Sequence, residues 1–352
     1  MKFSICIPNY NYARYIGETI SSALSQSESD LEVVVADNHS TDNSVDILSE
    51  IEDERFRFSI NKTNVGFSGN LGKVASMAEG DYRLMLSSDD LLDPDFLKSI
   101  SKLQSLEVEP EKGIYSSTER VIDSDGKEKF VRRIDPKFWY SSDIDKDLSD
   151  QCGFNVYKVD AKEMLRRCLT LLRTPFTFAS TLYHKNVYEA VEGYSQTAIF
   201  NPDKKFAWAL LSQANYAYLI DSPLVSYRVH DAAQAAQQRK SGALKHITDE
   251  YIATFELPDD VLSSVNMTRE DLQRAFLTQD IVLRGLALIA DGDRFNAKRY
   301  LRFGMATFPQ LFSSIKYSMH FRILLGLGPI GTLLAKVGKR KLQKNWEDSV
   351  SQ

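Results

Sequence analysis

Two adjacent carboxylates, Asp89 and Asp90, follow the apolar run Leu84-Met85-Leu86 and the hydroxyls Ser87-Ser88. Side by side at the end of a buried segment, two such groups repel each other and are costly without a cation. Mg2+ and Mn2+ take oxygen ligands and commonly bridge one or two carboxylates to phosphate oxygens, which makes the pair a candidate metal site. The plainer reading, an Asp capping the helix that begins near Pro94, accounts for one acid at most. Three more polar clusters follow apolar runs. Pro8-Asn9-Tyr10-Asn11 offers a ring that can stack on a base and amides for its edge, or else an irregular turn with an Asn cap. In Asp37-Asn38-His39-Ser40-Thr41-Asp42, Asp37 can accept the imide N–H of a uracil-like base. Ser40 and Asp42 read as turn and cap groups, and His39 as an exposed loop residue. In Asn64-Val65-Gly66-Phe67-Ser68-Gly69-Asn70 the glycines permit either close approach to a ligand or a positive φ.

The segments that must position these clusters alternate in character. Phe3–Pro8, Leu31–Ala36, Phe56–Ile60 and Tyr82–Leu86 read as strands, and Val33-Val34-Val35 lacks alternation, as in a strand covered on both faces. Arg14–Gln26, Ser44–Ile51, Gly69–Met77 and Pro94–Leu106 carry helical spacing. Repeated βα units imply a parallel sheet with helices on both faces and ligands beyond the carboxyl ends of its strands. Farther on, Val121–Gly126 reads as a hairpin turn, Ala161–Leu172 and Lys204–Gln213 as helices, and Tyr216–Ile220 and Leu224–Val229 as two strands. Beyond Ser241 nearly everything reads helical, which divides the chain into residues 1–240 and 241–352.

The ordered set Ile5-Cys6-Ile7-Pro8-Asn9-Tyr10-Asn11, Asp37-Asn38-His39-Ser40-Thr41-Asp42, Asn64-Val65-Gly66, Asn70, Gly80-Asp81-Tyr82 and Ser88-Asp89-Asp90 resembles the family 2 glycosyltransferases. The resemblance is strong over residues 1–100 and recognisable to about residue 235. It implies an α/β fold: a GT-A-type, Rossmann-like, mostly parallel sheet flanked by helices, followed here by a mainly α-helical C-terminal region. Residues 1–110 would form the nucleotide-sugar half and 111–240 the acceptor and catalytic-base half. The implied donor-binding residues are Pro8, Tyr10, Asn11, Asp37, Asn64, Gly66, Asn70, Ser88 and Arg228. Asp89 and Asp90 would bind a divalent metal, Mn2+ or Mg2+, joined by His230 from Val225-Ser226-Tyr227-Arg228-Val229-His230, which is similar to the family's strand ending in Tyr-Arg-x-His. Arg228 can pair bidentately with phosphate, whereas a lone His is as readily structural. In Asn201-Pro202-Asp203, Asp203 matches the family's general base and can also cap the helix that follows. Ser87, Gly69 and Pro202 stand where the family usually has Asp, Arg and Glu.

The implied reaction is inverting transfer of a sugar, UDP- or dTDP-linked, to the hydroxyl of a glycan or lipid-linked glycan, in surface polysaccharide or glycan assembly. Two rival readings are a sugar-nucleotide pyrophosphorylase, whose Gly-rich first loop is absent, and a non-catalytic nucleotide-sugar-binding or scaffold protein. The net charge of −5 over 352 residues argues against a nucleic-acid-coating protein. From Arg294 to Asn345 there are eleven Lys and Arg and no Asp or Glu. There Ile330, Leu333, Leu334 and Val337 form an apolar stripe with Lys336, Lys339, Arg340 and Lys344 largely off it, an expected interfacial helix on an anionic membrane. The alternative is that the stripe packs on the catalytic domain. Three sparse cysteines without metal-ligand spacing fit a reducing compartment, and Cys6 reads as a buried inert thiol. The expected location is cytoplasmic, peripheral at the inner face of the plasma membrane.

Overall fold

The computed structural model describes residues 2–191, 193, 203–230 and 243–338. These divide into two compact units, one of residues 1–168 and 174–236, the other of 169–173 and 237–352.

In the first unit, β1 (Phe3–Asn9), β2 (Leu31–Asp37), β3 (Phe56–Ile60) and β4 (Tyr82–Met85) run parallel in the order β3-β2-β1-β4. They are separated by α1 (Ala13–Leu24), α2 (Ser44–Ser49) and α3 (Gly66–Met77). All seven residues of β2 are buried, because helices cover both faces of this sheet and leave no polar side to the pleat. The loops after β1, β2 and β4 therefore open at one edge of the sheet.

The remaining strands are β5 (Leu91–Leu92), β6 (Gly113–Ile122), β7 (Glu128–Val131), β8 (Val156–Asp160), β9 (Leu182–His184) and β10 (Tyr216–Arg228). The three-residue β9 enters antiparallel between β4 and β6, and β6 then runs parallel to β10. The two strands expected at Tyr216–Ile220 and Leu224–Val229 are one strand, β10, whose register against β6 shifts on either side of Pro223. Proline has no N–H for the ladder, so the strand bulges there rather than ending. The β6–β7 hairpin turns at Gly126, with φ +83°. β5 pairs antiparallel with β10, Leu91 opposite Ser226 and Leu92 opposite Val225. This short ladder carries the end of β10 to the loop that holds Asp89 and Asp90.

Between these strands lie α4 (Phe96–Gln104), α5 (Lys146–Cys152), α6 (Ala161–Leu171), α7 (Lys185–Ala190) and α8 (Asp203–Gln213). α4 begins two residues after Pro94, with Asp95 at its N-cap, so neither Asp89 nor Asp90 serves as that cap. On α8, Phe206, Trp208, Leu210 and Leu211 are buried core residues.

The second unit is helical: α9 (Ala243–Phe255), α10 (Asp259–Ser264), α11 (Arg269–Phe276), α12 (Arg284–Ala290), α13 (Arg294–Thr307), α14 (Pro309–Phe312) and α15 (Ser318–Gly326). α11 and α12 are joined through a π-helical stretch, Leu277–Leu283. A chain of ring contacts links Tyr251, Phe255, Phe276, Phe303 and Phe308 beside buried Leu272, Leu277 and Ile281. The stripe at Ile330–Val337 lies on a helix of residues 328–338, separated from α15 only by Leu327. Lys339, Arg340 and Lys344 lie outside the described residues.

Candidate active site

Asp89 and Asp90 sit in the loop between β4 and β5, buried to 8% and 1% exposure. Asp90 Oδ1 accepts the backbone N–H of Arg228 at 2.8 Å, while its Oδ2 is buried with no hydrogen-bond partner among the described residues. Asp89 Oδ2 lies 2.9 Å from His230 Nε2. Burial raises the Asp89 carboxyl above its ordinary range, opposed by His230. Burial and the neighbouring Asp89 charge hold Asp90 well above that range. Adjacent acids in this state gain from added positive charge.

Arg228 is the centre of the cluster. It is 2% exposed, and its Nε donates to the Asp89 carbonyl at 2.8 Å. Nη2 donates to Glu18 Oε2 at 2.7 Å, and Nη1 to the carbonyls of Asp123 and Ser124 at 3.4 and 3.3 Å. The guanidinium lies 4.9 Å from the Tyr15 ring, which also contacts His230 at 4.9 Å. Each guanidinium nitrogen of Arg228, expected to pair with phosphate, has a partner within the protein, and the side chain ties α1, the acid loop and the β6–β7 turn together. Glu18 and Tyr15 belong to this cluster and were missed, since helix spacing alone marks them as ordinary face residues of α1. A third buried acid, Glu119 of β6, pairs with Arg132.

The other expected donor contacts fall into two groups. Tyr10 (42% exposed), Asn11, Asn64 and Gly66 are open to solvent, and Pro8 is half-buried. Asn11 and Gly66 are left-handed, with φ +59° and +78°. The Asn64 side chain accepts Asn38 Nδ2 and the Gly66 N–H, both at 2.9 Å, which shapes the turn into α3. Asp37, Asn70 and Ser88 face inward instead. Asp37 is fully buried, accepting Asn9 Nδ2 at 2.8 Å, Ser40 Oγ at 2.6 Å and the Ser40 N–H at 2.9 Å. Asn70 Nδ2 donates to the carbonyls of Asn9 and Ala36, and Ser88 Oγ to that of Pro8. These three side chains bond to the loops after β1 and β2 and to the backbone of those strands, and so hold the loops in place. Asp42 serves as a cap, accepting the Ala13 N–H at 2.9 Å and the Ser44 N–H at 3.0 Å.

Asp203 is the first residue of α8. Its Oδ1 is covered and has no hydrogen-bond partner among the described residues, and burial pushes its pKa up to about 6. No hydrogen bond or ion pair among the described residues joins it to the acid loop.

The three expected metal ligands do not form a finished cage: among the described residues no group of three or more His, Cys, Asp or Glu is arranged to hold a metal ion. Asp89 and His230 converge and Asp90 Oδ2 is orphaned behind them, a partial donor set of the kind that phosphate oxygens complete.

Residues 4–173 match glycosyl transferase family 2. The chain is 24% identical over 292 residues to abequosyltransferase RfbV of Salmonella typhimurium, covering 78% of this chain and 79% of that one. Curated relatives of higher identity match over shorter stretches, and the chain spans only 32% and 10% of the length of two of them. The fold is shared with S. aureus TarS 1–349, solved with UDP-GlcNAc (TM-score 0.56, 15% identity, covering 97% of this chain and 92% of TarS). It is also shared with the mannosyltransferase PcManGT of Pyrobaculum calidifontis, solved with GDP-Man and Mn2+ (TM-score 0.54, 15% identity, covering 96% and 86%). The acid loop therefore lies within the stretch, residues 4–173, over which the chain resembles glycosyl transferase family 2, while β9 and β10 follow it.

Proposed function

We propose that the protein is an inverting glycosyltransferase, moving a sugar from a UDP- or dTDP-linked donor to the hydroxyl of a glycan or lipid-linked glycan. The observation that carries this reading is the buried pair Asp89–Asp90, within the stretch that resembles glycosyl transferase family 2, with an orphaned carboxylate oxygen and His230 beside it. Asp89 and His230, with Asp90 behind them, would hold Mn2+ or Mg2+, which when bound supplies charge neutralisation for the departing nucleoside diphosphate. Tyr10 would stack on the base, while Pro8, Asn11, Asn64 and Gly66 shape the donor cleft. Asp203, with a pKa near 6, is ionised at neutral pH yet basic enough to take the acceptor proton as the oxygen attacks the anomeric carbon. The bond from that carbon to the diphosphate oxygen breaks as the new glycosidic bond forms, and configuration inverts.

The setting we assign, surface polysaccharide assembly, is supported by relatives such as the abequosyltransferase and a chondroitin synthase. Three buried free thiols support a reducing compartment, the cytoplasm. Incubation with a panel of nucleotide sugars and Mn2+ tests the reading: nucleoside diphosphate release is expected with at least one UDP- or dTDP-linked sugar, and its absence throughout rejects the assignment. Asp203→Asn should abolish transfer while donor binding survives. A non-catalytic binder would instead show binding and no turnover in the unmodified chain.

A further inference from the structure

The last described residues of the second unit form a pair of helices, each with one side fastened and large apolar side chains exposed on the other. α15 turns Ser318 and Phe321 inward, and Phe321 fills the space against Gly285 of α12 where no side chain fits. The next helix, residues 328–338, begins at left-handed Gly328 (φ +59°) and presses Gly331 on the Leu324 carbonyl, again leaving no room for a Cβ. Arg294 bonds the carbonyls of Leu324 and Leu325 at the end of α15 and the Thr332 hydroxyl on the following helix.

The opposite face carries Met319, Ile323, Ile330, Leu333, Leu334 and Val337, each 50–65% exposed. Large apolar side chains left exposed at helical spacing along two successive helices mark an interaction site. The charge along these helices is of one sign: Lys316, Arg322 and Lys336 are exposed, and no Asp or Glu occurs between Arg294 and Val337. A protein partner is served by a rim of mixed charge, whereas apolar side chains flanked only by cations match acyl chains beneath anionic headgroups. Among the described residues no helix is long and apolar enough to cross a membrane, so the arrangement suits lying on a bilayer.

We propose that α15 and residues 328–338 form a docking surface for an anionic lipid bilayer, the apolar side chains entering the acyl boundary and Lys316, Arg322 and Lys336 meeting the headgroup phosphates. This stands apart from the transferase reading. The full chain is sedimented with vesicles of phosphatidylcholine containing one quarter phosphatidylglycerol, and with phosphatidylcholine alone. Binding is expected to the first and not the second, and to weaken as salt rises. The triple variant Ile330→Ser/Leu333→Ser/Val337→Ser should bind roughly tenfold or more weakly. Lys316→Gln/Arg322→Gln/Lys336→Gln should lose a comparable amount together with the salt dependence. All six side chains are exposed, so both variants should melt like the parent. Equal binding by the apolar variant overturns the proposal. So does a parent chain that ignores the vesicles, and a dimer by light scattering that this variant abolishes would then assign the face to a second copy of the chain.

Discussion

Arg228 is of a residue type suited to phosphate, yet the fold has committed it elsewhere. Its guanidinium bridges Glu18, the Asp89 carbonyl and the carbonyls of Asp123 and Ser124, while its own N–H holds Asp90. Arg228→Gln leaves those carbonyls without donors in a buried site, and we expect a loss of about 3 kcal/mol in chemical denaturation. Mn2+-dependent donor affinity should fall with it, because the acid pair loses its support; unchanged affinity would show that the acids hold their positions alone. Asp203 gives a second prediction at this scale. A base must be ionised, and burial has raised this carboxyl to about 6, so kcat should fall as pH drops through 6. A rate flat between pH 7 and 5 would remove Asp203 from that role. The types Asp, Asn and Ser after each strand were readable from sequence. Their direction was not: Asp37, Asn70 and Ser88 turn inward to satisfy backbone and loop partners, whereas Tyr10 and Gly66 remain open. An amide or carboxylate that braces a loop has the same sequence signature as one that touches a ligand.

Among the elements, the parallel half of the sheet is pinned at its amino end by Glu32 of β2. This buried carboxylate accepts Ser4 Oγ of β1 at 2.5 Å, Arg57 Nη2 of β3 at 2.7 Å, and the N–H groups of Glu79 and Gly80 before β4 at 2.6 and 3.0 Å. Burial alone would raise its pKa, but the Ser4, Arg57 and Glu79 hydrogen bonds outweigh it and hold the value at about 2. A depressed carboxylate stabilises the fold above its unfolded pKa and loses that contribution as pH falls toward the folded value. The difference between the ordinary 4.5 and the folded value of about 2 corresponds to about 3 kcal/mol at neutral pH. Glu32→Gln should therefore melt lower at pH 7 and show a flatter stability profile between pH 4.5 and 2 than the parent; parallel profiles would count against the pin. The helices and strands of the first hundred residues were legible because the strands carry short apolar runs such as Val33-Val34-Val35 and Leu84-Met85-Leu86, and helices repeat their apolar positions. β9 was not, since three residues, Leu182–His184, carry no periodicity and are ordered by the strands on either side. The continuity of β10 through Pro223 was hidden for the opposite reason, because proline reads as a stop unless a bulge accommodates it.

At the scale of the whole molecule, charge and chemistry are segregated along the chain. Buried acids cluster at the sheet edge of the first unit, and the cations gather after Arg294 in the second. The apolar stripe at Ile330, Leu333, Leu334 and Val337 was visible as helical spacing, but only its exposure in the folded chain separates a docking face from a packed one. If the two units divide the work, their defects should be separable. Asp203→Asn should bind phosphatidylglycerol vesicles like the parent while failing to transfer sugar. Ile330→Ser/Leu333→Ser/Val337→Ser should hold donor and Mn2+ with parental affinity in calorimetry and turn over a soluble acceptor normally. With an acceptor embedded in vesicles, that triple variant should instead show a raised KM and an unchanged kcat, because docking concentrates enzyme at the acceptor without touching the reacting atoms. A fall in kcat on the soluble acceptor would mean that the C-terminal helices act on the chemistry itself, and the division of labour would then have to be abandoned.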